Sequence, residues 1–313
     1  MKYYLSAALT IRTKWFDSLK EWFLWNKFIG VEHFYIVDDN KDKALKDFFK
    51  NFSDQITFID DINTDESIPQ RELFRIIYDR HRTESHWIAF IDDDEYIMSL
   101  QGLTFVNFLK SIEDKRGVEL TSRFFGPHGY HKHEGLKHHE NSLILDRYWL
   151  YESKPTIKTV VNCKTTENLD TGGSVHRLVS GGAVDCFGGS IEPFEEAKKS
   201  GDWEEKGFIS WSDKIVNNTG RIRNPRFVIN HYSLKSMDEI EYKLFDRGYA
   251  EGERVCDDAL IYRTHKLLKQ LFSVTKSINQ NHKGNFNNFY FKSCLPDARL
   301  EFKQYCEDHK DKF

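Results

Sequence analysis

The sequence predicts an α/β protein whose sheet begins with parallel strands. Over roughly the first hundred residues, strand-like apolar runs alternate with helix-like periodic segments, as in strand–helix–strand units with right-handed crossovers. The apolar run at residues 87–91 is uninterrupted, which favours a strand buried on both faces. From Leu120 onward, short strand-like pieces and glycine-rich loops replace the alternation and indicate an irregular α+β second half.

Each predicted element follows from its apolar spacing and its boundary residues. In the first helix, apolar residues recur at helical spacing from Trp15 to Phe28, and Gly30 is placed to end it. The same criteria predict strands at residues 3–10, 31–37, 56–59 and 87–91, and further helices at 44–52 and 68–82. Later in the chain they predict strands at 142–149, 157–163 and 226–229 and a helix start at 236–239. The last fifty residues are expected to be helical and basic at first, then loop-like.

Composition excludes several classes of protein. The chain has 313 residues, enough for one large domain or two small ones. Its 45 basic and 49 acidic residues give a net charge of −4, so we expect no nucleic-acid partner. The five cysteines are odd in number and form no C-x-x-C pair, which argues against a disulfide framework or a zinc site. No long apolar window or signal-peptide pattern is present, so we expect a cytoplasmic protein.

The most informative segment is the acidic run that follows the strand at residues 87–91. Asp92, Asp93, Asp94 and Glu95 come directly after this strand, at the sheet edge where open α/β folds bind ligands. Clustered carboxylates are unfavourable without a cation, and the Asp-x-Asp spacing of Asp92 and Asp94 suits a hard divalent metal. The alternative is a solvated acidic turn. Two other predicted strands end in aspartate pairs, so the whole edge is expected to need a cation or ligand donors.

Four local patterns, in order along the chain, resemble glycosyltransferase family 92 and its bacterial family-2-like relatives. They are residues 19–22 (LKEW) with 30–40 (GVEHFYIVDDN); Gln70 with 87–96 (WIAFIDDDEY); 124–129 (FFGPHG); and 230–248, which contain NHY, Lys235, Ser236, Glu239, Lys243, Arg247 and Gly248. Two sites depart from the family pattern. Residues 12–15 (RTKW) replace a Lys-Asn-Glu signature, and Pro127-His128 replace two small residues. Both sites touch donor or acceptor in the family, so the sugar identity is left open.

The resemblance implies a GT-A fold, a Rossmann-like mixed sheet with helices on both faces and a C-terminal helical extension. It places a catalytic domain at residues 1–255, with a nucleotide-binding half at 1–115 and an acceptor-side half at 116–255. Residues 256–313 are expected to form the helical extension.

The resemblance also implies a divalent metal and a nucleotide-sugar donor. We expect manganese, with magnesium as the alternative, bound by Asp94, by Asp92 and by His231 as a third ligand. Asp92 could instead bind the ribose, and a lone histidine is more often a structural hydrogen-bonding residue. The residues predicted to bind the nucleotide sugar are Thr10, Arg12, Asp38, Asp39, Gln70, Asp92, Asp93, Lys235 and Arg247. For Asp38 helix capping is the alternative, and for Lys235 and Arg247 it is a solvated helix face.

The predicted activity is transfer of a hexose, with galactose as the first expectation, from a UDP-sugar to a glycan or glycolipid acceptor. Family members invert the anomeric carbon, which needs a carboxylate base on the acceptor hydroxyl. Asp185 is the first candidate for this base and Glu192 the second. The expected context is bacterial surface polysaccharide or lipooligosaccharide synthesis. Two alternatives are a non-catalytic nucleotide- or carbohydrate-binding module and, less favoured, a glycoside hydrolase with paired carboxylates.

A segment near the C-terminus allows two interpretations. Residues 260–278 combine an apolar stripe at helical spacing with several Lys and Arg residues. Such a helix can lie on the anionic inner face of a membrane, where a lipid-linked acceptor is found. The stronger expectation is that the stripe packs on the protein's own core and the basic residues face water.

Overall fold

The α/β class predicted from the sequence is confirmed. The computed structural model describes residues 1–40, 42–62, 68–125, 143–147, 151–169, 178, 182–186, 226–232, 235, 239, 242 and 296–313. Within these residues nine strands form one mixed sheet, with helices packed against it. Across the sheet, the order of neighbouring strands is β3-β2-β1-β4-β7-β6-β9-β5, and β8 pairs with β6.

The first half of the sheet is parallel, as predicted. Its strands are β1 (Tyr3–Ile11), β2 (His33–Asp38), β3 (Ile56–Phe58) and β4 (Ser85–Phe90). The connecting helices are α1 (Phe16–Phe28), α2 (Leu45–Phe48), which leads into a 3-10 helix (Lys50–Gln55), and α3 (Gln70–His81). All four strands therefore end at the same edge of the sheet, which brings the polar residues that follow them together.

Helices cover both faces of this parallel half. On β2, the Phe34 ring lies 4.6 Å from Phe23 of α1. The next residue, Tyr35, stacks at 4.3 Å on His81 at the end of α3. Because successive side chains of a strand point to opposite faces, α1 and α3 lie on opposite sides of the sheet.

Gly30 ends α1, as its position predicted. It has a φ of +105°, a conformation that side chains other than glycine rarely adopt. A Cβ at this position would lie 2.5 Å from the Val106 side chain in helix α4 (Phe105–Lys110). Glycine is therefore required here for two reasons: the turn needs its positive φ, and α4 packs too close to leave room for a Cβ.

The second half of the sheet is mixed. It contains β5 (Glu95–Ser99), β6 (Gly117–Phe125), β7 (Tyr151–Asn162), β8 (Ala183–Asp185) and β9 (Phe227–His231). Strand β7 pairs antiparallel with both β4 and β6, and β5 pairs antiparallel with β9. Strands β8 and β9 each run parallel to β6. The expected change from alternating to irregular order after residue 120 is therefore confirmed in the described part.

The strand predicted at residues 142–149 is wrong. A short helix, α5 (Ile144–Arg147), lies there instead. Its first N–H group, that of Ile144, donates to Oε2 of the buried Glu21 on α1 at 2.8 Å. A short apolar run is compatible with strand or helix, and here a carboxylate from a distant segment satisfies the helix start.

The sheet curls so that β5 returns to the carboxyl end of β4. Only residues 91–94 separate these strands, although β7, β6 and β9 lie between them in the sheet order. Helix α1 holds β5 in this position through two indole N–H groups. Trp22 donates to the Glu95 carbonyl at 2.9 Å, and Trp25 donates to the Ile97 carbonyl at 3.0 Å.

The chain ends in a helix that belongs to the main core. Helix α6 (Pro296–Asp308) buries Phe302, whose ring lies 4.9 Å from Trp25 and 5.5 Å from Phe28. The terminal Phe313 lies 4.8 Å from Phe52. The expectation of loop-like structure at the end of the chain is therefore wrong, because apolar side chains there pack on α1.

Two predictions for the C-terminal part remain untested. The amphipathic segment at residues 260–278 and most of the helix start at 236–239 lie outside the described residues. Within the part that is described, no helix combines the length and apolar character needed to cross a bilayer.

Candidate functional site

The candidate site is the turn between β4 and β5, at the carboxyl edge of the parallel strands. Two reciprocal hydrogen bonds fix this turn: Asp92 N–H donates to Glu95 Oε2 at 3.0 Å, and Glu95 N–H donates to the Asp92 carbonyl at 3.1 Å. The Tyr232 N–H, just after β9, donates to the Asp94 carbonyl at 2.8 Å. The turn is thus held from β5 and from β9, so its side chains start from a fixed backbone.

Three carboxylates and two basic side chains meet at this turn, and we call them the carboxylate cluster: Asp92, Asp94, Glu95, Lys158 and His231. Asp92 and Asp94 come from the turn and Glu95 from the first position of β5, whereas Lys158 comes from β7 and His231 from the end of β9. The side chains of Asp92 and His231 are 27% and 17% exposed, whereas those of Glu95 and Lys158 are almost fully buried. The cluster is therefore open to solvent on the side of Asp92 and His231.

Lys158 neutralises two of the carboxylates from inside the protein. Its Nζ lies 2.7 Å from Asp92 Oδ2 and 3.1 Å from Glu95 Oε2. Burial alone lowers the pKa of a lysine, but these two carboxylates outweigh it and raise the pKa of Lys158 above its usual value. Burial raises the pKa of Asp92, but the ammonium group of Lys158 outweighs it and holds that pKa below the usual range.

Sequence reasoning missed Lys158. It belongs to the predicted strand at residues 157–163, and its spacing indicates no role at the site. One signal was available. A single lysine stands among the apolar and β-branched residues of this run, and a buried charge must be paired.

His231 lies beside Asp94, as the predicted metal shell requires. Its Nε2 is 3.2 Å from Asp94 Oδ1, and its Nδ1 is 3.6 Å from Glu95 Oε1. Burial lowers the pKa of this histidine, but the neighbouring Asp94 carboxylate outweighs it, so the pKa is raised. The pKa of Glu95 is also raised, chiefly because its burial disfavours the ionised form.

The Asp94 and His231 side chains fit a divalent metal that is only partly coordinated by protein. Within the described residues, no group of three or more His, Cys, Asp or Glu side chains forms a ready metal shell. Asp94 and His231 offer one carboxylate and one imidazole, and Asp92 on the same turn carries a second, partly exposed carboxylate. Metals that bind nucleotides commonly take one or two carboxylates from the protein, and phosphate oxygens and water complete the shell. This donor set fits manganese or magnesium on that basis.

The predicted nucleotide residues at the ends of β1 and β2 lie along the same edge. Gln70, at the start of α3, donates to Asp92 Oδ1 at 2.7 Å. Arg12 pairs with Asp39 at 2.8 Å. The hydroxyl of Thr10 is buried and has no hydrogen-bond partner among the described residues.

The expectation that the whole acidic edge needs an added cation or donors from a ligand is too broad. Asp38 accepts hydrogen bonds from the backbone and side-chain amides of Asn40, both at 2.9 Å, and from the Leu45 N–H at 3.3 Å. These bonds order the turn and the start of α2, which is the capping alternative for Asp38. After β3, Asp60 pairs with Lys46 and Asp61 with Arg80. Among the described residues, the run after β4 brings three carboxylates beside Lys158 and His231.

Lys235 and Asp93 are not members of the carboxylate cluster, and two further predicted site residues lie outside the described part of the chain. Lys235 is buried and pairs with Glu239 at 3.0 Å. Asp93 is half-buried on the turn itself. The predicted residues Glu192 and Arg247 lie outside the described part of the chain.

Asp185, the first candidate for the catalytic base, ends β8. Its Cα partner on β6 is Glu119, which in turn pairs with Thr159 of β7. Lys158 pairs with the next residue of β6, Leu120. Since side chains alternate along a strand, Asp185 and Lys158 point to opposite faces of this part of the sheet. The structure therefore does not bring Asp185 into the carboxylate cluster, and its role as base stays a prediction.

No protein-family model matches the chain, and no curated protein matches it in sequence. The resemblance to family 92 therefore stays a prediction, and the function is argued from the carboxylate cluster.

Proposed function

We propose that the chain is a metal-dependent glycosyltransferase of the GT-A fold, which transfers a hexose from a UDP-sugar to a glycan or glycolipid acceptor. The observation that carries this proposal is the pairing of Asp94 with His231, whose Nε2 lies 3.2 Å from Asp94 Oδ1. The pair sits at the carboxyl ends of parallel strands, where α/β folds bind nucleotides. A partly exposed Asp92 lies beside it on the same turn.

The chemistry of the reaction explains why a site of this kind is useful. When the sugar leaves the donor, negative charge develops on the diphosphate, and a bound divalent metal stabilises that charge as a Lewis acid. In the proposed site Asp94 and His231 hold the ion. Asp92, oriented by Gln70 and Lys158, presents its carboxylate to the ribose hydroxyls or the metal.

Calorimetry with UDP and manganese tests the proposal directly. We expect UDP to bind only when manganese is present, and Asp94→Asn to weaken that binding by more than about ten-fold, the scale already seen for second-shell residues. Asp60→Asn is the matched control, because it removes a surface carboxylate that pairs with Lys46. Unchanged UDP affinity in Asp94→Asn with manganese, at normal thermal stability, would contradict the assignment.

Turnover separates an enzyme from a binding module of the same fold. We expect release of UDP from a UDP-hexose, with UDP-galactose as the first donor to test, in the presence of manganese and an acceptor glycan. A module that only binds would show the calorimetric signal without UDP release. The same assay identifies the catalytic base, for which Asp185 and Glu192 are the two candidates. Replacing the residue that acts as the base, by Asp185→Asn or Glu192→Gln, should abolish turnover and leave UDP affinity unchanged.

The cellular setting is part of the proposal. We infer a role in bacterial surface polysaccharide or lipooligosaccharide synthesis, at the cytoplasmic side and with peripheral contact to the inner membrane face. Flotation with anionic vesicles at low salt tests the membrane contact. If the protein stays in the soluble fraction, the proposed contact is refuted.

A further inference from the structure

The two oxygens of the Glu95 carboxylate have different surroundings. Oε2 lies 3.1 Å from Lys158 Nζ and accepts the Asp92 N–H at 3.0 Å. Oε1 has no hydrogen-bond donor within bonding distance among the described residues, although Glu95 is fully buried. Buried polar atoms are almost always hydrogen-bonded in folded proteins, so this asymmetry requires a physical reason.

The His231 imidazole lies beside Oε1. Glu95 and His231 are direct Cα partners in the β5–β9 ladder, so their side chains project from the same face of the sheet. Nδ1 of the ring is 3.6 Å from Oε1, while Nε2 faces Asp94 at 3.2 Å. The first distance is too long for a hydrogen bond, but a shift of about 0.7 Å would close it.

We propose that Glu95 is a positioning residue, which aims Nε2 of His231 at the metal by accepting a hydrogen bond from Nδ1. This inference rests on the proposed metal site. A histidine that gives its Nε2 lone pair to a metal carries its remaining proton on Nδ1, and a carboxylate acceptor at that position fixes the orientation of the ring. Lys158 and the Asp92 N–H contribute by occupying Oε2, which leaves Oε1 to the ring.

Glu95→Gln is a sharp probe because the surroundings dictate how the amide must lie. Its oxygen replaces Oε2, since Lys158 and the Asp92 N–H both require an acceptor there. Its NH₂ group then faces Nδ1 and donates to it, which places the ring proton on Nε2 and leaves no lone pair there for a metal. The variant keeps the size of the side chain and reverses the interaction with His231.

A double-mutant cycle in manganese affinity, measured by calorimetry with UDP present, tests the coupling. We expect Glu95→Gln to weaken manganese binding about ten-fold or more in the wild-type background. In the His231→Ala background the same change should matter about two-fold at most, because no ring is left to orient. Equal losses in both backgrounds would overturn the proposal, since a general structural role affects both alike. Asp61→Asn, a surface carboxylate paired with Arg80, is the control and should leave the affinity unchanged.

A metal-free crystal structure separates failure of this inference from failure of the proposed function. If the wild-type protein binds no manganese, the metal site is refuted, but the position of the His231 ring relative to Glu95 can still be measured. We expect Nδ1 of His231 to lie within about 3.2 Å of Glu95 Oε1 in the wild-type protein, close enough for the proposed hydrogen bond. A distance of about 3.6 Å or more in that crystal structure refutes the positioning role, whatever the metal affinity.

Discussion

Lys158 Nζ lies 2.7 Å from Asp92 Oδ2, so the first carboxylate after β4 is neutralised by the chain itself. These residues are 66 positions apart in the sequence and meet because β7 pairs with β4. The pairing changes the charge balance of the acidic run. Asp92 and Glu95 share an internal cation, which leaves Asp94 with His231 as the part of the cluster that we propose to hold an added metal.

We predict that Lys158→Met destabilises the protein by about 3–5 kcal/mol, because it leaves the buried Glu95 carboxylate and the partly exposed Asp92 carboxylate without their cation. Urea unfolding followed by tryptophan fluorescence measures the change. Lys115→Met is a matched control, since Lys115 also lies 2.7 Å from a carboxylate, that of Asp114, but at the surface. We expect the control to change stability by less than about 1 kcal/mol. Equal effects from both substitutions would show that the buried pair contributes little.

We predict that Phe302→Ala destabilises the protein by about 3–5 kcal/mol, because it opens a cavity between α6 and α1. Phe302 is fully buried against Trp25 and Phe28. Leu300→Ala on the same helix is the control, because Leu300 is 63% exposed, and it should stay within about 0.5 kcal/mol of wild type. A wild-type unfolding midpoint for Phe302→Ala would mean that α6 does not belong to the cooperative core.

We predict that Gly30→Ala destabilises the protein through two separable effects. The left-handed φ of +105° costs about 1 kcal/mol or more for any other residue, and the new Cβ lies 2.5 Å from Val106 Cγ2. Adding Val106→Ala removes the collision but not the backbone cost. Thermal melting of the single and double variants should therefore show partial rescue, whereas full rescue would mean that the backbone is not strained.

We predict that His33 makes the protein less stable as the pH falls below 6.5. Burial, helped by the nearby charge of Lys2 and opposed by Glu84, lowers the pKa of His33 to about 4. Between these two pH values the unfolded chain binds a proton that the folded protein does not, so unfolding becomes more favourable as the solution is acidified.

Comparison with His33→Gln isolates this contribution from the titration of other groups. Between pH 7.5 and pH 4.5 the wild-type protein should lose about 2–3 kcal/mol more stability than the variant. Parallel losses in the two proteins would show that His33 titrates normally in the folded state. The measurement is urea unfolding at a series of pH values.

Local patterns were sufficient for most of the first half of the fold. The strands ending at Ile11, Asp38, Phe58 and Phe90 and the helices between them follow from apolar runs, helical spacing and Gly30. These signals are local because a helix or strand that is buried on one or both faces sets the spacing of apolar residues among its own neighbours in the sequence. The same reasoning failed at residues 142–149, where the buried carboxylate of Glu21 favours a helix start.

The acidic run and its place at the carboxyl edge of the sheet were determined by the sequence alone, because a buried strand and the residues after it are contiguous. The partners of that run were decided only by the tertiary structure. Lys158 joins Asp92 and Glu95 through the pairing of β7, and Glu95 faces His231 through the β5–β9 register. Strand pairing brings together side chains far apart in the chain, and the charge balance of a site depends on those distant neighbours more than on local spacing.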